Sequence, residues 1–251
     1  MGRSVYVVVW VCLALLASGC RRSADVSAEE QPFLVNLDLN VALSDIAIPR
    51  SRVSSDAAPA NDDEKMQTLR IIVVRPDGKV EANRFVKPSV ALVYDRQERF
   101  KVVGREKKRV YLFVNEGNTV VETMDGTPVS AGGKLSEYLT SIGVGDSFPA
   151  DVLASLVIRL EGDSSQLSGA LPMNESHEIE VGATDCSFEL FVTRAAVKFT
   201  YRITNQSERK LVLTGLAIDR MARREYYMPH GAVYADNEDG IREIVQYDAV
   251  P

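Results

Sequence analysis

Between positions 35 and 43 the apolar residues Val35, Leu37, Leu39, Val41 and Leu43 alternate with Asn36, Asp38, Asn40 and Ala42. A period of two admits one regular structure, an extended strand with an apolar face and a polar face. A helix returns to the same face only every three or four residues. Such a strand needs neighbours for its backbone and a core for its apolar face. Ile46 and Ile48 continue the apolar character after a one-residue phase shift, which predicts a bulge or bend, and Pro49 ends it. The next segment, IPRSRVSSDAAPANDDE at 48–64, is rich in Ser, Ala, Pro and Asp and carries Arg50 and Arg52. It reads as an exposed, protease-accessible linker. An apolar strand is thus set apart from the chain it must pack against.

From Lys65 onward the pattern is almost entirely β. Residues 69–74 (LRIIVV) are rich in β-branched side chains and end at the turn Arg75-Pro76-Asp77-Gly78. Strands are predicted at 79–86, 90–94, 98–103 and 108–114, followed by a turn at 115–118. Leu135, Leu139 and Ile142 recur at helical spacing and predict a short helix at 134–142. Residues 150–160 read as helix or strand. Further strands are expected at 177–182, across 186–203 as one or two, and at 210–218. Many short strands with one or two short helices predict a mainly β fold built as a sandwich.

The N-terminal twenty residues, MGRSVYVVVWVCLALLASGC, have the shape of a secretory signal. Arg3 supplies the positive charge. The apolar run from Val5 to Leu16 is too short to span ~30 Å of hydrocarbon comfortably. Ala17, Ser18 and Gly19 then precede Cys20. This ending resembles a bacterial lipobox, which implies cleavage before Cys20 and acylation of its thiol, as with palmitate. The other reading is an ordinary signal cut near Gly19 that leaves a free thiol. With Cys12 in the signal and Cys20 acylated, Cys186 is the remaining thiol, and an intrachain disulfide is not expected. Cys186, in TDCSFELF, reads as a buried or half-buried strand residue.

Composition excludes several chemistries. Lys and Arg number 29 against 35 Asp and Glu, a net charge of −6, where a nucleic-acid binder needs a basic face. His177 and His230 stand alone and no Cys-x-x-Cys pair occurs, so no metal site is expected. No catalytic constellation and no cofactor motif stand out, and no enzyme is predicted. The basic run Arg105 to Arg109 reads as an exposed hairpin tip. Tyr226 and Tyr227 read either as a ligand-capturing pair or as an aromatic cross-strand pair in the core.

Beside the lipobox-like ending at Cys20 stand EKMQTLRIIVVRPDGKVEANRF at 64–85, RVYLFVNEG at 109–117 and GALPMNESHEIEVG at 169–182. VTRAAVKFTYRITN at 192–205, LVLTGLAIDR at 211–220 and YYMP at 226–229 follow. In this order the segments resemble the fimbrillin family, the type V pilin subunits of Bacteroides-like bacteria. The resemblance implies two transthyretin-like β-sandwich domains in tandem. The expected division is a signal peptide at 1–19, a lipidated tether at 20–34, a removable strand and cleavage linker at 35–52, a first sandwich at 53–189 and a second at 190–251. The second is short for a sandwich of about seven strands, which takes ~100 residues, and is expected to be incomplete.

The resemblance also implies a life history. The subunit is exported as a lipoprotein to the outer membrane. An arginine-specific protease cuts after Arg50 or Arg52, and both arginines also fit a solvated linker. Loss of Val35, Leu37, Leu39, Val41 and Leu43 opens a groove that another fimbrial subunit fills by strand exchange. The alternative is a surface-anchored lipoprotein that does not polymerise, an anchor or tip adhesin that meets a host or bacterial surface ligand.

Overall fold

The alternating segment forms strand β1 (Leu34–Leu43), and its five apolar side chains are all buried. The computed structural model describes residues 33–43, 61–90, 96–159, 169–195, 203–207, 209–217, 224–228, 233–236 and 242–246. The signal, Cys20, the tether to 32, Ile46, Ile48, Arg50, Arg52 and His230 lie outside the described residues, as does much of 190–251.

The other strands are β2 (Leu69–Val74), β3 (Val80–Val86), β4 (Arg96–Val103), β5 (Glu106–Val114), β6 (Val157–Arg159), β7 (Met173–Val181), β8 (Cys186–Arg194), β9 (Arg224–Tyr226), β10 (Val233–Asp236) and β11 (Arg242–Gln246). Helices α1 (Leu135–Ser141) and α2 (Ala150–Ala154) lie between β5 and β6. Seven strands form one sheet in the order β3-β2-β5-β7-β8-β1-β4. The ladder between β7 and β8 is only two residue pairs long, Met173 with Arg194 and Asn174 with Thr193. Beyond it β8 leaves β7 and runs parallel to β1. The sheet therefore folds over at this ladder into two layers, β3-β2-β5-β7 and β8-β1-β4, and the mainly β expectation holds.

Burial follows from the alternation. Leu69, Ile71 and Val73 of β2, with Val110, Leu112 and Val114 of β5, meet the β1 residues in the core between the layers. Ile72, Val74, Tyr111 and Phe113 point to the other face, where Leu135 and Leu139 of α1 and Leu153 of α2 cover them. That is why every residue of β2 is buried: the first layer has a core on each side. Asn115 holds the β5 end against the start of β2. It adopts φ +60°, which Asn tolerates better than most residues. Its side chain accepts from the Gln67 and Thr68 N–H groups and donates to the Lys65 and Leu171 carbonyls.

Several sequence expectations need correction. Residues 150–160 hold both α2 and β6. The strand expected at 177–182 begins earlier, at Met173, because it must meet Val114 at the far end of β5. Residues 209–217 form no strand, and Leu211, Val212, Leu213 and Leu216 are exposed. In the basic run at 105–109, Arg105, Lys107 and Arg109 are exposed as expected, and Lys108 is the exception. Arg105 makes the turn at φ +60°, but Lys108 lies wholly buried within β5.

Leu39 is fully buried at the centre of β1. Leu39→Ala is expected to cost about 2–5 kcal/mol, read as a lowered midpoint in urea denaturation.

Candidate functional site

The candidate site is the place β1 occupies. β1 is bonded on both sides, antiparallel to β4 from Leu34 opposite Val103 to Val41 opposite Arg96, and parallel to β8 from Leu37 opposite Cys186 to Leu43 opposite Val192. Among the described residues β4 has no other ladder partner. Taking β1 away would leave a two-sided slot. Its walls would present unpaired N–H and C=O groups of β4 and β8, and its floor would be the apolar surface of β2, β5 and β7. Val35, Leu37, Leu39, Val41 and Leu43, the residues expected to form the replaceable strand, are thus brought together on one buried face.

The polar face of β1 is held at its beginning. The Asn36 backbone N–H and its side-chain Nδ2 both donate to the Asp185 carboxylate, each at 2.8 Å. Arg99 of β4 grips Asp38 with two parallel bonds, Nε to Oδ1 at 2.7 Å and Nη2 to Oδ2 at 2.9 Å. The Asn36 bonds hold the Asp185 carboxyl below its ordinary value of 3.8. The Arg99 bonds do the same for Asp38. Asp38 in turn raises the Arg99 guanidinium above its usual range. Cys186 sits opposite Leu37, half-buried at the edge of the core. Burial, with the nearby Asp185 charge, pushes its thiol up, which lowers its thiolate fraction.

The far edge of β4 is tied to β3 by side chains. Arg84 donates to Glu98 at 3.1 Å and to the Arg99 carbonyl at 2.9 Å, and lies 4.3 Å from the centre of the Phe100 ring. Glu81 accepts from the Val103 N–H and from the buried Lys108 ammonium. Glu106 also accepts from Lys108, at 2.7 Å, and from Arg75, at 3.1 Å. Burial alone pushes the Glu106 carboxyl up, but Arg75 and Lys108 together bring it below its ordinary range.

Other sequence candidates have structural roles. Tyr227 is buried in the outer core, its ring stacked on Phe113 at 6.3 Å, and Asn174 donates to its carbonyl. Burial pushes its hydroxyl far above the ordinary range. Of the two readings of Tyr226 and Tyr227, core packing is the one that Tyr227 fulfils, while Tyr226 is half-buried. His177 bonds through Nε2 to the Phe191 carbonyl at 2.7 Å and lies edge-on to its ring, spanning β7 and β8 where their ladder has ended. A groove of about 350 Å³ is lined by Arg75, Lys107, Arg109, Tyr111, Phe148 and Glu178. Its cations already face carboxylates, Lys107 to Glu178 at 3.1 Å and Arg109 to Glu178 at 3.6 Å. Sequence reasoning missed Asp185, Arg99 and Lys108, because their partners lie 149, 61 and 27 residues away.

No protein-family model matches the chain, and no curated protein sequence matches it significantly. Among solved structures it is similar to a fimbrial assembly protein from Parabacteroides distasonis, at 13% identity and a TM-score of 0.35 over 65% of this chain and 52% of that one. It is also similar to a C-terminally truncated tip fimbrial protein from Porphyromonas gingivalis, at 12% identity and a TM-score of 0.42 over 64% of this chain and 48% of that one. The chain spans about half the length of the structures it matches. These overlays leave its architecture to be read from its own strand pairing.

Two outcomes follow from this geometry. Because the folded values of Asp38 and Asp185 are depressed, the stability they contribute is full above 3.8 and is lost as pH falls through those lower values. The urea midpoint of the wild type should therefore fall more steeply on acidification than that of Asp38→Asn. Tyr227→Ala should destabilise the fold by about 3–5 kcal/mol, read by thermal denaturation, as expected for a core residue.

Proposed function

We propose that this chain is a structural subunit of a surface fimbria that works by strand complementation and not by catalysis. In this reading it is exported as a lipoprotein acylated at Cys20 and reaches the outer membrane. Residues 53–189 then form its main body together with the end of β8 and with β9, which pack into it, and the rest of 190–251 forms a second, shorter module. A protease specific for arginine cuts after Arg50 or Arg52 and frees 35–52. A strand from another subunit then enters the slot.

The observation that carries this reading is the position of β1. It is the first described strand in sequence, yet it lies between β8 and β4 with five apolar side chains buried. Such side chains contribute ~1.5–3 kcal/mol each when fully buried, so the segment gains on the order of 10 kcal/mol before the entropy of ordering it. A strand held this strongly leaves only when a better-fitting one replaces it, which is the logic of β-strand addition. The expected cut sites follow directly after it in sequence. The second reading keeps β1 in place: an uncut, lipid-anchored subunit acting as anchor or tip adhesin. Its support is the same double-sided pairing, which makes the uncut chain a complete first sandwich.

The test is digestion of the exported protein with an arginine-specific protease, followed by N-terminal sequencing and alkylation of Cys186. The expected result is a new N-terminus at Ser51 or Val53. Cys186 should become reactive as segment 33–43 is lost, and protected again when excess peptide of that sequence is added. A protein that is cut there but never releases or re-accepts the strand sinks the assembly reading, and an uncut, surface-held protein supports the anchor reading. No cut between Pro49 and Val53 sinks the assembly reading.

A further inference from the structure

We propose that Asp185 and Arg99 form a register-reading pair, so that the slot accepts a strand carrying a hydrogen-bond donor opposite Asp185 and a carboxylate opposite Arg99. The partner is thus a strand of another subunit with alternate apolar residues and this two-group polar signature. The inference rests on the strand-exchange reading above and names the chemistry that selects the incoming strand.

The need for such a reader follows from the apolar face itself. A one-residue slip turns every apolar side chain of the strand outward, and burial alone forbids it. For a strand of residues 33–43, a two-residue slip keeps apolar side chains inward, emptying the Leu43 position in one direction and putting Phe33 in the Val35 position in the other. Val35, Leu37, Leu39, Val41 and Leu43 are alike enough in size that burial discriminates poorly between these registers. Discrimination must come from the polar face, whose side chains are Asn36, Asp38, Asn40 and Ala42. Among the described residues only the first two have side-chain bonds to the walls of the slot, Asn36 to Asp185 and Asp38 to Arg99. The walls meet them from opposite sides: Asp185 immediately precedes β8, and Arg99 lies in β4 directly across from Asp38.

A slip by two is penalised at both positions. Sliding the strand so that Asp38 takes the place of Asn36 sets a carboxylate against the Asp185 carboxylate. It also leaves Arg99 facing Asn40, without its two-bond acid. Sliding the other way puts Asn36 before Arg99 and leaves the carboxylate of Asp185 facing Leu34. Like charges opposed in a sheet are destabilising, and a forked Arg–carboxylate contact is geometrically selective. The Asp38 side chain is 19% exposed and that of Arg99 68%, so the contact is screened by solvent on the arginine side and adds little attraction of its own. The pair thus works mainly through the cost of wrong registers, a repulsive form of specificity.

The test has two arms. The first uses the intact chain and the alkylation rate of Cys186, whose backbone pairs with Leu37. Asp38→Arg should raise that rate at least about fivefold, and the charge exchange Asp38→Arg with Arg99→Asp should restore it. An unchanged rate in Asp38→Arg overturns the proposal. The second arm offers the cut protein two peptides of residues 33–43, one with the natural sequence and one with Asp38→Arg. The natural peptide should bind at least about fivefold more tightly to the wild type, and the preference should invert on Arg99→Asp protein. Equal binding of both peptides overturns the register reading while strand exchange stands. If neither peptide enters although the charge exchange rescues the intact chain, strand exchange fails and the pair is upheld as the register lock of the chain's own β1.

Discussion

The double-sided pairing of β1 is the constraint on which the rest of the sandwich depends. β4 reaches the sheet by backbone ladder only through β1 among the described residues, and β8 leaves β7 after two residue pairs in order to run beside it. By backbone ladder, β4 is therefore joined to β8 only through β1 among the described residues. Its neighbours come from distant parts of the chain, with Leu37 opposite both Phe100 and Cys186. The loop-closure entropy of such separations makes this second layer the non-local part of the fold. The first layer is built from nearer neighbours. β2 pairs with β3 across a short turn, and it has a core on each side. The part most able to stand alone is thus the part that does not contain β1.

Closure at the other edge is made by charges instead of a ladder. Between β3 and β4 the contacts run from Arg84 to Glu98 and the Arg99 carbonyl, and from Glu81 to the Val103 N–H. Lys108 reaches Glu81 and Glu106 from within β5 with its side chain fully buried. A buried ammonium is costly unless it is paired, and here it has two carboxylates. Its desolvation is offset only while β3 and β5 hold their positions, and Glu81 links the same cluster to β4 through the Val103 N–H. The same logic applies on the outer face, where Arg70 is locked to Glu116 at 2.7 Å and also bonds Asn83 and Thr140. The Arg84 and Glu81 contacts bind β4 to the first layer independently of β1. A slot vacated by β1 therefore keeps a second wall.

Legibility in the sequence divided along the range of the forces involved. The period-two segment at 35–43 was readable because alternation is local, and so was α1 from Leu135 and Leu139. β2 was readable as a strand, but not as one buried on both faces, since its second cover is helices some sixty residues further on. Lys108 was misjudged for a related reason. A run of basic residues looks solvated until Glu81 and Glu106 are seen to converge on one of its members. The apolar pattern at 210–218 suggested a strand, but a strand requires a ladder partner, and 209–217 has none among the described residues. Tyr227 could be read two ways until its stacking on Phe113 placed it in the core.

By itself the sequence determined the class of the fold, the apolar face of β1 and the separation of that strand from its neighbours by an arginine-bearing linker. These are properties of residue order, set by side-chain period and by turn chemistry over a few positions. Only the tertiary structure decided where β1 goes, that it runs parallel to β8 and antiparallel to β4, and that Asp185 and Arg99 receive its polar face. Alternation specifies that a strand must be covered but not by what, because apolar burial is non-directional. Direction and register come from hydrogen bonds and charges whose partners meet only when the chain has closed over distances that no local pattern records.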